Sequence, residues 1–126
     1  MKSLAAALAI AAALFCGGML YSRSLTDKSD SILKTVDTIE VCINDNDFEA
    51  AQRHIDKLAR ELYDFEHFFL ATGDHAETDN IEINIAELRS FAKEKMKAEA
   101  LGKTYIIEYL IKHLPKNSSL SIQNIL

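Results

Sequence analysis

The densest polar cluster in this chain is Asp74-His75-Ala76-Glu77-Thr78-Asp79-Asn80. Asp74, His75, Glu77 and Asp79 stand close together, and His67 lies one or two helical turns upstream. Imidazoles and carboxylates in such a group could hold a divalent cation. The same residues also make a capped helix start. Asp74 and Glu77 have capping-box spacing, and acids at a helix N-terminus favour the positive end of its dipole. The cap explains the residue types without an ion. The expected metal set is therefore none, with His67, Asp74, His75, Glu77 and Asp79 as the candidates a metal would use.

Other chemistries fail on spacing. A di-iron bundle needs two Glu-x-x-His pairs with further inward acids, and only Asp64-x-x-His67 comes near. Asp45, Asp47 and Glu49 alternate like a calcium loop, but Ala50 holds the position where that loop needs Gly. Cys42 is the one cysteine beyond the apolar N-terminus, so a domain formed by the rest of the chain has no internal disulfide. It reads as a small buried residue or a point of intermolecular pairing. Gly-rich phosphate loops, nucleophile elbows and His/Cys dyads are missing from the sequence. The expectation is a non-enzyme with no catalytic residue and no cofactor.

Charge narrows the partners. Residues 25–83 hold 15 acids and 5 bases, whereas residues 84–126 hold 4 acids and 7 bases. Two halves of opposite sign attract if their helices pack side by side. The net charge of −5 argues against nucleic acid, which needs a concentrated basic surface. Lys93, Lys95, Lys97 and Lys103 are interleaved with Glu94 and Glu99 and read as a solvated helix face.

The elements that must position these residues begin with an apolar run. Residues 4–21 carry no charge and follow Lys2. At 1.5 Å per residue the run spans about 27 Å, near the thickness of a hydrocarbon core. It reads as a retained signal anchor with the N-terminus inside and the rest of the chain outside. The alternative is a cleaved signal, with Ser22-Arg23-Ser24 as the cut site, a break at Gly17-Gly18, and a secreted product. Phe15 before Cys16 argues against lipidation there. Ala5, Ala9, Ala13 and Gly17 make a small-residue stripe that allows a second membrane helix to approach.

With one Pro, four Gly and 48% apolar residues, the remainder reads as helical. Phe48, Ala51, Ile55, Leu58, Leu62, Phe65 and Phe69 step by three and four along one face. That seam predicts a helix over 47–70, started by an Asn46/Glu49 capping box. Ile32, Val36, Ile39 and Ile43, with Leu25, predict an earlier helix over 26–44 that folds back at Asn44-Asp45-Asn46. Ile81, Ile85, Leu88 and Ala92 predict a third over 75–95. Ala100, Thr104, Ile107, Leu110, Ile111 and Leu114 predict a fourth over 97–113, ended by Pro115. Residues 93–98 hold no turn residue, so the third and fourth could be one bent helix. The fold class is all-α: an N-terminal anchor helix (1–24), then an antiparallel bundle of three or four helices (25–126). Leu120, Ile122, Ile125 and Leu126 give the tail an apolar face for docking.

Several segments in this order carry a family resemblance. They are Asn46-Asp47-Phe48-Glu49-Ala50, Asp74-His75-Ala76-Glu77 with Asp79-Asn80-Ile81-Glu82, Tyr109-Leu110-Ile111-Lys112-His113-Leu114-Pro115, and Leu120-Ser121-Ile122-Gln123-Asn124-Ile125-Leu126. The chain resembles a bacterial family, domain of unknown function 4363, over nearly its whole length. Phe48 stands where the resemblance leads one to expect Trp. The resemblance implies a small membrane-attached helical protein and carries over no catalytic residue. The expected partners are the bilayer and another membrane protein or a second copy. The expected role is a non-enzymatic interaction or accessory module of the bacterial envelope, with an extracytoplasmic ligand- or metal-binding domain as the alternative.

Overall fold

In the computed structural model the backbone of residues 1–69 and 75–125 is described, with side chains for 1–68 and 75–114. Four helices follow one another: α1 (Lys2–Asn44), α2 (Phe48–Phe69), α3 (Ala76–Lys93) and α4 (Lys97–Ile125). Each packs on its neighbours in chain order, and α4 closes the ring against α1. The result is an up-and-down antiparallel four-helix bundle.

Helical periodicity places the core. Leu25, Ile32, Val36, Ile39 and Ile43 of α1 are buried, as are Ala51, Ile55, Leu58, Leu62 and Phe65 of α2. Ile81, Ile85, Leu88 and Ala92 of α3 meet Ala100, Ile107, Ile111 and Leu114 of α4. Burying each large aliphatic side chain contributes about 1.5–3 kcal/mol. The predicted seams are therefore the observed ones, apart from half-buried Phe48 and Leu110. The Phe69 side chain lies outside the described residues.

The two hairpins repeat one another. Ile32, Val36, Ile39, Ile43, Ala51, Leu58 and Leu62 correspond, at a constant offset, to Ile81, Ile85, Leu88, Ala92, Ala100, Ile107 and Ile111. Buried polar positions follow: Ser29 matches Thr78 and Thr35 matches Asn84. The turns match as well. Asn46 and Lys95 have positive φ, 58° and 57°. The Asn46 amide donates to Ile43 O at 3.0 Å and the Asp47 amide to Cys42 O at 2.8 Å. The Lys95 amide donates to Ala92 O at 3.1 Å and the Met96 amide to Phe91 O at 2.8 Å. Each set is a Schellman motif, which satisfies the last carbonyls of one helix before the next begins. The third and fourth helices are thus separate, and no residue in 93–98 signals it because a lysine fills the left-handed position.

Three sequence expectations change. The N-cap of α2 is Asp47, whose Oδ1 accepts the Ala50 amide at 3.1 Å. Asn46 is occupied as the left-handed residue of the preceding turn, so the cap moves one residue on. The helix α1 continues through Gly17 and Gly18, since a glycine weakens a helix by about 1 kcal/mol without forbidding it. The backbone of α4 continues past Pro115, although a proline inside a helix removes one amide donor and crowds the preceding turn. Docking of the tail concerns side chains outside the described residues.

The attraction between halves is visible in an ion pair, and a hydrogen-bonded lysine also joins them. Arg89 of α3 meets Asp56 of α2 at 3.0 Å. Lys97 Nζ donates to Asn44 O at 3.0 Å and to Asn46 Oδ1 at 3.3 Å, tying the start of α4 to the first turn.

Candidate functional site

The predicted polar cluster separates in space. His67 lies in the last turns of α2, exposed, with its ring stacked on Tyr63 at 5.4 Å between centroids. His75 precedes α3, and its Nδ1 lies 2.8 Å from Glu66 Oε1. Tyr63, Glu66, His67 and His75 border one shallow space of about 420 Å³. Glu77 and Asp79 stand in the first turn of α3, outside that lining. Asp74 is outside the described residues. The structure thus brings together His67, His75 and Glu66, an acid not singled out by sequence spacing. Among the described residues, no group of three His, Cys, Asp or Glu side chains is placed to hold an ion.

The start of α3 is built from Thr78, whose hydroxyl donates to His75 O at 2.9 Å, while His75 gives no side-chain cap. At the first turn the Asp47 carboxylate is engaged as a cap, which leaves the alternating acids without a loop to fold round a cation. No acid is buried in the core among the described residues, where the buried polar side chains are Ser29, Thr35, Thr78, Asn84 and Thr104. The half-buried Glu61 turns its carboxylate inward, where Oε1 accepts the Thr35 hydroxyl at 2.7 Å.

Cys42 is half-buried against the core. Burial pushes its thiol above the ordinary range, and Asp47 and Asp45 add to the effect. A thiol kept protonated is a poor nucleophile. Lys103 is held by Glu87 at 2.6 Å, so the lysine run does not form one basic patch.

The repeat of the hairpins exposes a different feature. The outer face of α2 carries Arg53, Asp56, Lys57, Arg60 and Asp64. The corresponding positions of α4 are Gly102, Tyr105, Ile106, Tyr109 and His113. Tyr105 and Tyr109 are each 62% exposed and Ile106 is 43% exposed. His113 Nδ1 lies 2.7 Å from Tyr109 O, and its ring sits 4.1 Å from that of Tyr109. Gly102 leaves open space at the head of the stripe. The matched positions 56 and 60 are therefore charged in the first hairpin and tyrosine at 105 and 109 in the second, while Tyr63 and Lys112 show the reverse exchange. Bundle packing does not ask for that difference, because both faces point away from the core.

The first half of α1 is a second apolar surface. It contains a stretch long and apolar enough to cross a membrane, and none of that stretch is buried against the rest of the chain. Leu4, Leu8, Leu14 and Phe15 all project outward. Such a helix fits a membrane anchor or a signal sequence.

A family model described as a domain of unknown function (DUF4363) matches residues 19–125. No curated protein and no solved structure matches the chain.

Proposed function

Since the chain belongs to the family described as domain of unknown function DUF4363, whose name assigns no activity, we propose a function from the surfaces: a non-enzymatic interaction module anchored in the bacterial cell envelope. The anchor is the apolar half of α1, with the N-terminus inside and the bundle outside the membrane. The binding surface is the α4 stripe of Tyr105, Ile106, Tyr109 and His113.

The observation that carries this reading is the contrast between α4 and α2. Tyrosines are enriched in protein interfaces, where a large apolar ring and a hydroxyl can both be used. A charged face at the matching positions of α2 is what a solvated helix needs. Gly102 lets a partner helix approach the head of the stripe closely. The partner is an envelope protein or a second copy of the chain.

The test is purification of the full chain in mild detergent beside the double variant Tyr105→Lys/Tyr109→Lys. The wild type should elute with a stoichiometric partner or as a dimer, and the variant alone, with equal melting temperatures. Identical elution of both as clean monomers would remove the reading.

A further inference from the structure

A crevice of about 590 Å³ lies between α1 and the end of α2. We propose that it receives the zwitterionic headgroup of an aminophospholipid from the membrane that holds the anchor. Ser24 and Lys28 supply its α1 wall, and Tyr63, Asp64, His67 and Phe68 supply its α2 wall. The inference rests on the anchor reading above and adds the ligand class that the base of the bundle takes.

Height comes first. The helix α1 runs without a break from the apolar stretch into the bundle. At 1.5 Å per residue, Ser24 stands about 4–5 Å beyond Tyr21 and Lys28 about 10 Å beyond it. The headgroup layer adds about 5–8 Å on each side of the hydrocarbon core. Ser24, at the membrane-facing end of the crevice, therefore lies in that layer, and Lys28 lies just beyond it. Phe68 shares the lining with Ser24 and Lys28, and it is 75% exposed.

Charge chooses the headgroup. Lys28 and the Ser24 hydroxyl suit a phosphate, and the Asp64 carboxylate suits an ammonium. Glu61 lines the deeper wall, where its Oε1 accepts the Thr35 hydroxyl at 2.7 Å. Both signs within one crevice fit phosphatidylethanolamine. A purely anionic headgroup would meet the two carboxylates unfavourably.

The chain contains no Trp, so single tryptophans can report depth. Full-length Phe15→Trp, Phe68→Trp and Val41→Trp are each reconstituted in phosphatidylethanolamine/phosphatidylcholine vesicles. Brominated acyl chains should quench Phe15→Trp. A headgroup-attached nitroxide should quench Phe68→Trp. Val41→Trp, 59% exposed in the last turns of α1, should resist both. Native mass spectrometry of the full chain then counts retained phosphatidylethanolamine, phosphatidylcholine and phosphatidylglycerol. Phosphatidylethanolamine should dominate, and Lys28→Ala or Asp64→Ala should weaken its retention roughly tenfold, the loss of one charge-assisted contact. Equal retention of all three lipids, or no effect of either alanine, overturns the crevice while a quenched Phe15→Trp leaves the anchor standing. An unquenched Phe15→Trp overturns the anchor and the crevice together.

Discussion

Replacing Lys95 with glycine should stabilise this protein. Lys95 holds φ 57° in the turn between α3 and α4, a conformation that crowds the β-carbon of any L-residue. That conformation costs a non-glycine residue about 1–2 kcal/mol. Glycine removes the crowding but gains freedom in the unfolded chain, which returns about 0.5–1 kcal/mol. The net gain is about 0.5–1 kcal/mol. For a domain of this size that raises Tm by roughly 2–6 °C. Asn46 supplies the internal control, because it occupies the same position in the first turn at φ 58°. Asparagine tolerates the left-handed region, so Asn46→Gly should change stability by only about a few tenths of a kcal/mol. The assay is thermal unfolding of the full chain in mild detergent, followed by circular dichroism. A lower Tm for Lys95→Gly, or equal shifts for both variants, would refute the strain assigned to Lys95.

Asp47→Ala removes the cap on the Ala50 amide and should destabilise by about 1 kcal/mol, read by the same melts. The fully buried Leu58, cut to alanine, should lose about 2–5 kcal/mol in chemical denaturation; a loss under about 1 kcal/mol would contradict its place in the core. Cys42 tests the sign of a titration. Its thiol is held above the ordinary range by burial and then by Asp47 and Asp45, so the stability linked to it is fully present below the unfolded thiol's pKa and is lost as pH rises through the folded one. Alkylation by iodoacetamide should accelerate at higher pH in the folded chain than in urea, and coincident profiles would contradict it.

Much of the bundle is legible in the sequence because burial recurs with the helical period. The stepping of Ile55, Leu58, Leu62 and Phe65 leaves one face for the core whatever the neighbours are. The cap of α2 is less legible. Asn46 and Asp47 are both good caps, and only the left-handed backbone of the preceding turn decides between them. The repeat is hidden for another reason. Packing preserves burial but not identity, so Ile43 pairs with Ala92, Ile55 with Thr104 and Phe65 with Leu114. Once the hairpins are matched, the exposed tyrosines of α4 stand out against Asp56 and Arg60 of α2. The base of the bundle brings residues far apart in sequence, Ser24 and Phe68, to one crevice. Spacing along the chain carries no trace of such pairs. Local patterns instead drew attention to Glu77 and Asp79, which stand in the first turn of α3.

The most direct test of the interaction reading compares two matched positions in intact membranes. A benzoylphenylalanine crosslinker replaces Tyr109 in one full-length chain and Arg60 in another. The account predicts a discrete crosslinked species, a second copy or one envelope protein, from position 109 and none from position 60. Equal crosslinking from both positions, or none from position 109 in membranes that retain the chain, would contradict it.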